Sequence, residues 1–149
     1  MTDEINATPS SAMLHKITAD VFQSVVGIEV EQGVPENSAL TLDLSAMVRF
    51  EDGGQGAVIM ELSSTLAQKL SSIMLCLDDS ETDDTLVQDA IGEIVNIIAG
   101  HYKAARGSSL RLSMPKVIFA PETREQCPPE YRSALLCAEE TFFVGAWIE

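Results

Sequence analysis

Asp89-Ala-Ile-Gly-Glu93-Ile-Val-Asn96-Ile-Ile-Ala-Gly100 is the stretch on which the reading of this chain turns. On an α-helix each residue advances by about 100°, so Asp89, Glu93, Asn96 and Gly100 fall within an arc of roughly 60°. Val87, Ile91, Ile94, Val95, Ile98 and Tyr102 fall on the opposite side. A helix that buries one side against a core normally carries scattered charge over the rest. Here two carboxylates, an amide and a glycine stand in line instead. Gly92 and Gly100 each cost about 1 kcal/mol of helix propensity relative to alanine. Two glycines in one helix ask for a reason, and close approach of another surface is one.

Around this helix the pattern predicts a mixed chain of helices and largely antiparallel strands, an α+β domain. Residues 1–10 are polar and contain Pro9, which predicts a loose leader, with Ser10 or Ser11 capping a helix that Gly27 ends. Met13, Leu14, Ile17, Val21, Phe22 and Val25 form its apolar stripe. Ile28–Glu31 reads as a short strand before the turn-rich Gly33–Asn37. From Leu40 to Phe50 the even positions are apolar and the odd ones mostly polar, the pattern of a half-buried strand. Glu51-Asp-Gly-Gly is a hairpin signal leading into Ala57–Leu62. Ser63 or Ser64 caps a helix to about Leu75 with Leu66, Leu70, Ile73 and Met74 inward, and the acidic link Asp78–Asp84 supplies caps for the motif helix, Thr85 to Ala105. Leu110, Leu112 and Met114 alternate, Val117–Ala120 continues past a bend at Pro115, and Pro121–Tyr131 is a polar loop. Ser133–Ala138 and Thr141–Ile148 close the chain as two strands.

The two halves resemble each other. Each gives a helix ending in glycine (Gly27, Gly100), then a Leu-x-Leu-Ser run (Leu42 to Ser45, Leu110 to Ser113). Aligning the glycines sets Lys16, Asp20 and Gln23 against Asp89, Glu93 and Asn96.

At Asp89, Glu93 and Asn96 the chain resembles the CheC/CheX/FliY family of bacterial chemotaxis phosphatases, and the Asp-Ala-Ile-Gly-Glu wording is especially like CheX. The family pattern is an Asp or Ser, three residues, a Glu, two residues, an Asn, and a later proline. Pro115 is in that last role, closer to Asn96 than the family's usual spacing. The resemblance covers most of the chain, leaving out the first ten or so residues and the insertion around Pro121–Arg132. It implies one domain over residues 1–149, built from duplicated helix-strand-strand halves with long helices packed on the sheet. It also implies a phosphatase for the aspartyl phosphate of a CheY-like receiver domain, with Glu93 and Asn96 catalytic. Asp89, Gly92 and Gly100 would support the helix face or contact the partner. The Mg2+ of such a reaction belongs to the receiver, and no cofactor is expected in this chain. A catalytically silent receiver-binding module using the same face is the alternative, and an ordinary solvated helix face the plainest one.

Composition narrows the remaining classes. With 23 acidic and 9 basic side chains the net charge is −14, a field that repels nucleic-acid phosphates and anionic lipid. No apolar run approaches the roughly 18 residues that cross a bilayer, and the acidic start lacks the character of a signal peptide. A cytoplasmic protein is expected. Cys76, Cys127 and Cys137 are scattered and odd in number, which argues against a disulfide framework. His15 and His101 sit on separate helices, and no cluster has metal-ligand spacing. Gly53-Gly54-Gln-Gly56 lies between strands, so it is a hairpin and no phosphate loop. The aromatic strand Thr141–Ile148 carries neither lysine nor proline. It predicts pairing at an exposed sheet edge and hence a homodimer, with burial of Phe142, Phe143 and Trp147 inside one subunit as the competing expectation.

Overall fold

The computed structural model of the 149-residue chain describes residues 2–33, 42–51, 56–107, 110–119 and 131–148. Among these residues three α-helices, α1 (Thr2–Val25), α2 (Ser64–Leu75) and α3 (Asp84–Ala105), combine with six strands. The strands are β1 (Val30–Gln32), β2 (Leu44–Arg49), β3 (Gly56–Leu62), β4 (Lys116–Phe119), β5 (Arg132–Cys137) and β6 (Glu140–Ile148). They form one sheet in the order β1-β5-β6-β3-β2-β4, and every pairing is antiparallel.

That order contains the duplication. Exchanging β1 with β4, β2 with β5 and β3 with β6 gives the same order read backwards. Each half is therefore a helix followed by three strands, α1-β1-β2-β3 and α3-β4-β5-β6, with α2 lying between them in the chain. The Leu-x-Leu-Ser echo does not follow this symmetry. Ser45 lies in β2, whose mate is β5, whereas Ser113 precedes β4.

One core joins the helices to one sheet face. Leu14, Val21 and Phe22 of α1, Leu66 and Leu70 of α2, and Ile91, Ile94 and Ile98 of α3 pack with Leu44, Ala46 and Val48 of β2 and Val58, Met60 and Leu62 of β3. Phe22 stacks on Phe142 of β6 at 5.2 Å between ring centres, which ties the first helix to a strand of the second half. The period of two expected for β2 places Leu44, Ala46, Val48 and Phe50 in this core as read. The expectation of a half-buried strand fails, because Ser45 and Met47 are also buried. Met47, Ala57 and Ile59 form a second, small apolar cluster against Trp147. Period-two reading misses such burial when the second face carries small or flexible residues.

Further corrections concern the ends of elements. Helix α1 begins at Thr2, so the stretch expected as a loose leader is helical. Glu4 and Ala7 are good helix formers, and the missing amide of Pro9 removes one bond without ending the helix. On α2, Ser63 caps the start by accepting from the Leu66 amide, as expected. Ile73 faces solvent and not the core, because α2 turns Ser71 and Ser72 inward, with their hydroxyls donating to the Ala67 and Lys69 carbonyls. Met114 is exposed and outside any strand, and Leu112 makes only a single bridge to Phe50. Strand β6, expected at an edge, lies between β5 and β3. Its lack of charge reflects an interior position, with Phe142 fully buried and Phe143 and Trp147 half-buried. The edges are β1 and β4. The turn after Gly33, the tip of the β2–β3 hairpin, Ser108-Ser109, the Pro121 loop and Cys127 lie outside the described residues.

Candidate functional site

Helix α3 is built to hold a face still. Asp83 caps its start, accepting from the Leu86 amide at 2.9 Å, and Asp84 and Lys103 complement the dipole at its two ends. Val87, Ile91, Ile94, Val95, Ile98 and Tyr102 are all buried, as the sequence pattern requires. At the far end Arg106 donates to the Tyr102 hydroxyl at 2.9 Å and lies 5.7 Å from its ring centre. Burial raises the Tyr102 phenol above its ordinary pKa, and the Arg106 charge and hydrogen bond partly offset that. The ring leans on Phe50 at 6.2 Å, which anchors the helix to the end of β2.

With the apolar side fixed, the motif side is fixed too. Asp89 and Glu93 are exposed, and Asn96 and Gly100 are half-buried. Among the described residues no hydrogen bond or ion pair engages the side chains of Asp89, Glu93 or Asn96. Glu93 and Asn96 are three positions apart on the helix, so their Cβ atoms are neighbours at about 5–6 Å. Glu81, Asp83 and Asp84 are exposed ahead of them, giving the N-terminal half of the face an acidic field. The acidic rim and the free carboxylate can receive a cationic surface, and the Asn96 amide can both donate to and accept from water.

The two helix glycines part company. Gly92 is buried, and a Cβ placed there would meet Pro115 Cβ at 3.4 Å and Val117 Cγ2 at 3.7 Å. A Cβ there would make ordinary van der Waals contacts, so the surface that approaches Gly92 is the Pro115 segment of its own chain. Gly100 has nothing within 4 Å of such a Cβ. Among the described residues no packing accounts for it.

Two charged features escaped the sequence reading. Lys16 pairs with Asp20 at 3.1 Å on α1, on the face that aligns with the motif. Across the sheet, Arg132 reaches Glu61 at 3.3 Å and lies 4.5 Å from the Phe143 ring centre. Glu61 is buried, and a carboxylate inside the apolar run Ala57–Leu62 was the available signal, since a buried charge demands a partner. Neither described cysteine points to thiol chemistry. Cys137 is buried and its pKa is pushed up to about 11, mainly by desolvation, and Cys76 is a free surface cysteine in the left-handed C-cap of α2. Among the described residues no group of His, Cys, Asp and Glu could hold a metal ion, and no helix is long and apolar enough to cross a membrane.

The family model for chemotaxis phosphatase CheX matches residues 44–136, more than half the chain and the part that includes all of α3. The chain belongs to the CheX family. Solved structures agree on the fold. A putative chemotaxis protein from Desulfovibrio vulgaris Hildenborough is 21% identical with a TM-score of 0.71, the match covering 95% of this chain and 97% of that one. The chemotaxis protein CheX of Desulfovibrio desulfuricans is 20% identical with a TM-score of 0.74, over 95% and 99%. The CheX of a CheX–CheY–BeF3–Mg2+ complex from Borrelia burgdorferi is 17% identical with a TM-score of 0.71, over 91% and 95%. No curated protein matches this chain in sequence.

Proposed function

We propose that this CheX-family chain accelerates hydrolysis of the aspartyl phosphate on a CheY-like receiver domain, through one active site on α3. The observation that carries the reading is the row of Asp89, Glu93 and Asn96, held by a capped and buried helix yet free of any partner within the described residues. Membership of a chemotaxis phosphatase family and the fold shared with a CheX crystallised with CheY support it.

The chemistry asks for positioning more than for reactive groups. An acyl phosphate is attacked in line by water, and a side-chain amide can hold that water, as a glutamine does in small GTPases. Asn96 is given this role. Glu93 forms a charge-assisted hydrogen bond to the receiver's conserved lysine and sets the docking register. Asp89 supports the face or contacts the partner, and Gly100 lets the partner backbone come near. Such alignment is stringent, since a misplacement of about 1 Å can cost about a hundredfold in rate. The chain supplies no cofactor, and Mg2+ stays with the receiver. The setting is the cytoplasm. A homodimer remains part of the proposal, now through the β1 or β4 edge in place of β6. Light scattering at micromolar concentration tests it, and a monomer removes that part alone.

The decisive measurement is the decay of phosphorylated receivers from the source genome with and without this chain. Faster decay supports the proposal. Tight binding of the phosphorylated receiver with unchanged decay assigns the chain instead to a silent receiver-binding role.

A further inference from the structure

We infer that Met114 is an apolar anchor for the receiver domain, set on the rim of the α3 face, an inference that rests on the function proposed above. A single exposed apolar side chain is ordinary on a protein surface. What distinguishes Met114 is how fully it stands in solvent, how firmly it is held, and where. It is 84% exposed, twice as exposed as Ile73 at 42%.

The backbone beneath it is clamped. The Ser113 amide donates to the Arg49 carbonyl at 2.9 Å, and the Arg49 amide donates to the Ser113 hydroxyl oxygen at 2.9 Å. The Ser113 hydroxyl in turn donates to the Met114 carbonyl at 3.0 Å. Two residues before Met114, Leu112 bridges Phe50, and one residue after it Pro115, with its φ fixed by the ring, packs over Gly92. An ordered backbone removes the backbone part of the ordering cost when a partner covers the side chain, leaving the rotamer freedom of the methionine to be offset by the contacts it makes.

Its address follows from the same contacts. Gly92 is three positions from Asp89 and four from Asn96, so all three are neighbours on the helix surface. Pro115 lies on Gly92, which puts Met114 one residue away from the edge of the motif row. A domain docked over Glu93 and Asn96 meets that edge. Methionine is unbranched and polarizable and adapts to irregular apolar surfaces, which fits an anchor beside a polar, register-setting ion pair. The occupant is thus the receiver domain itself, and Met114 contributes affinity and partner choice while the amide and carboxylate contribute chemistry.

The test titrates the full chain with each CheY-like receiver of the source genome, loaded with beryllofluoride and Mg2+, and measures phosphorylated-receiver decay in parallel. Met114→Ala is expected to weaken binding about tenfold, the loss typical of an interface anchor. The receiver concentration giving half-maximal rate should rise by a similar factor, with the saturated rate moving less than twofold. Met114→Leu should restore affinity, and Tyr131→Ala, which removes an exposed ring stacked on Trp147, should leave it unchanged. Equal affinity of Met114→Ala and the parent chain overturns the inference, as does failure of leucine to restore it. A change confined to self-association assigns the residue to a second copy and overturns it too. If the parent chain binds no receiver, the proposed function falls with it; if only the variants behave wrongly, the function stands and Met114 is not the anchor.

Discussion

Helices α1 and α3 open the two halves of the chain, whose strands exchange places when the sheet order is read backwards, yet they show solvent different surfaces. On α3 the carboxylates of Asp89 and Glu93 are unpaired among the described residues. On α1 the aligned positions hold a lysine and an aspartate locked to each other at 3.1 Å, with Gln23 exposed one turn on. Both helices bury their apolar stripes in the same core. The comparison separates two demands on one sequence. The buried stripe preserves the scaffold in both halves, whereas the outer row is free to change and in α3 alone is left available to a partner.

The sharpest way to break this comparison is to remove the amide from each half. Asn96→Ala should slow the accelerated decay of the phosphorylated receiver at least about hundredfold, the scale of lost alignment, while shifting unfolding free energy by no more than about 1 kcal/mol. Gln23→Ala on α1 should leave the decay rate unaltered. Undiminished activity of Asn96→Ala would end the water-positioning role, and loss in Gln23→Ala would show a second site.

Glu93 comes next in size. Glu93→Ala should raise the receiver concentration for half-maximal rate about tenfold or more, in line with losing a charge-assisted interface bond. Glu93→Lys should do worse, since it sets like charges together. The counterpart Asp20→Ala should move neither quantity. If affinity at Glu93→Ala is unaltered and only turnover falls, the residue acts in the chemical step and not in docking.

The glycines give a test of opposite signs. Gly27 and Gly100 align in sequence, and among the described residues a Cβ would meet nothing within 4 Å at either. Gly27 has a φ of +71° and its amide bonds back to the Phe22 carbonyl at 2.9 Å, so it ends α1. Gly100 lies within α3, which continues to Ala105. Gly27→Ala should therefore destabilise by about 1–2 kcal/mol, the left-handed penalty of an L-residue. Gly100→Ala should stabilise by about 1 kcal/mol through helix propensity and weaken receiver binding. Thermal or urea unfolding reads the first pair of effects and titration the last. A stabilised Gly100→Ala with full affinity would remove the partner's need for that glycine.

Much of this was legible in the sequence for a plain reason: single-element signals depend on neighbours in the chain. The stripe of α3, its cap within the acidic link, the Ser63 cap and the β2–β3 hairpin all belong to that class. What stayed hidden depends on what lies across space. Gly92 faces Pro115, a contact that no helical wheel contains. The bare aromatic run of β6 reads alike for an edge and for a centre, and only the positions of β5 and β3 decide. The Leu-x-Leu-Ser echo suggested the right duplication from the wrong residues. At the site, the row itself was readable, but whether Asp89 and Glu93 were already paired was not, because pairing on a helix face depends on partners from other elements as well as its own.

The smallest expected effect bears on the α1 pair. Lys16 and Asp20 have side chains 79% and 62% exposed, and an exposed i,i+4 pair contributes about 0.3–0.5 kcal/mol that salt screens. Lys16→Ala should lower stability by no more than that in dilute buffer and by less at high salt, leaving receiver dephosphorylation untouched. The informative comparison is with Lys16→Asp in a background that also carries Asp20→Glu and Gln23→Asn, which copies the motif row onto α1. If outer residues alone make a site, Asn96→Ala should regain activity in this background. Continued inactivity would mean that the surroundings of α3, with Pro115 against Gly92 and the open Gly100, belong to the site as much as its carboxylates and amide.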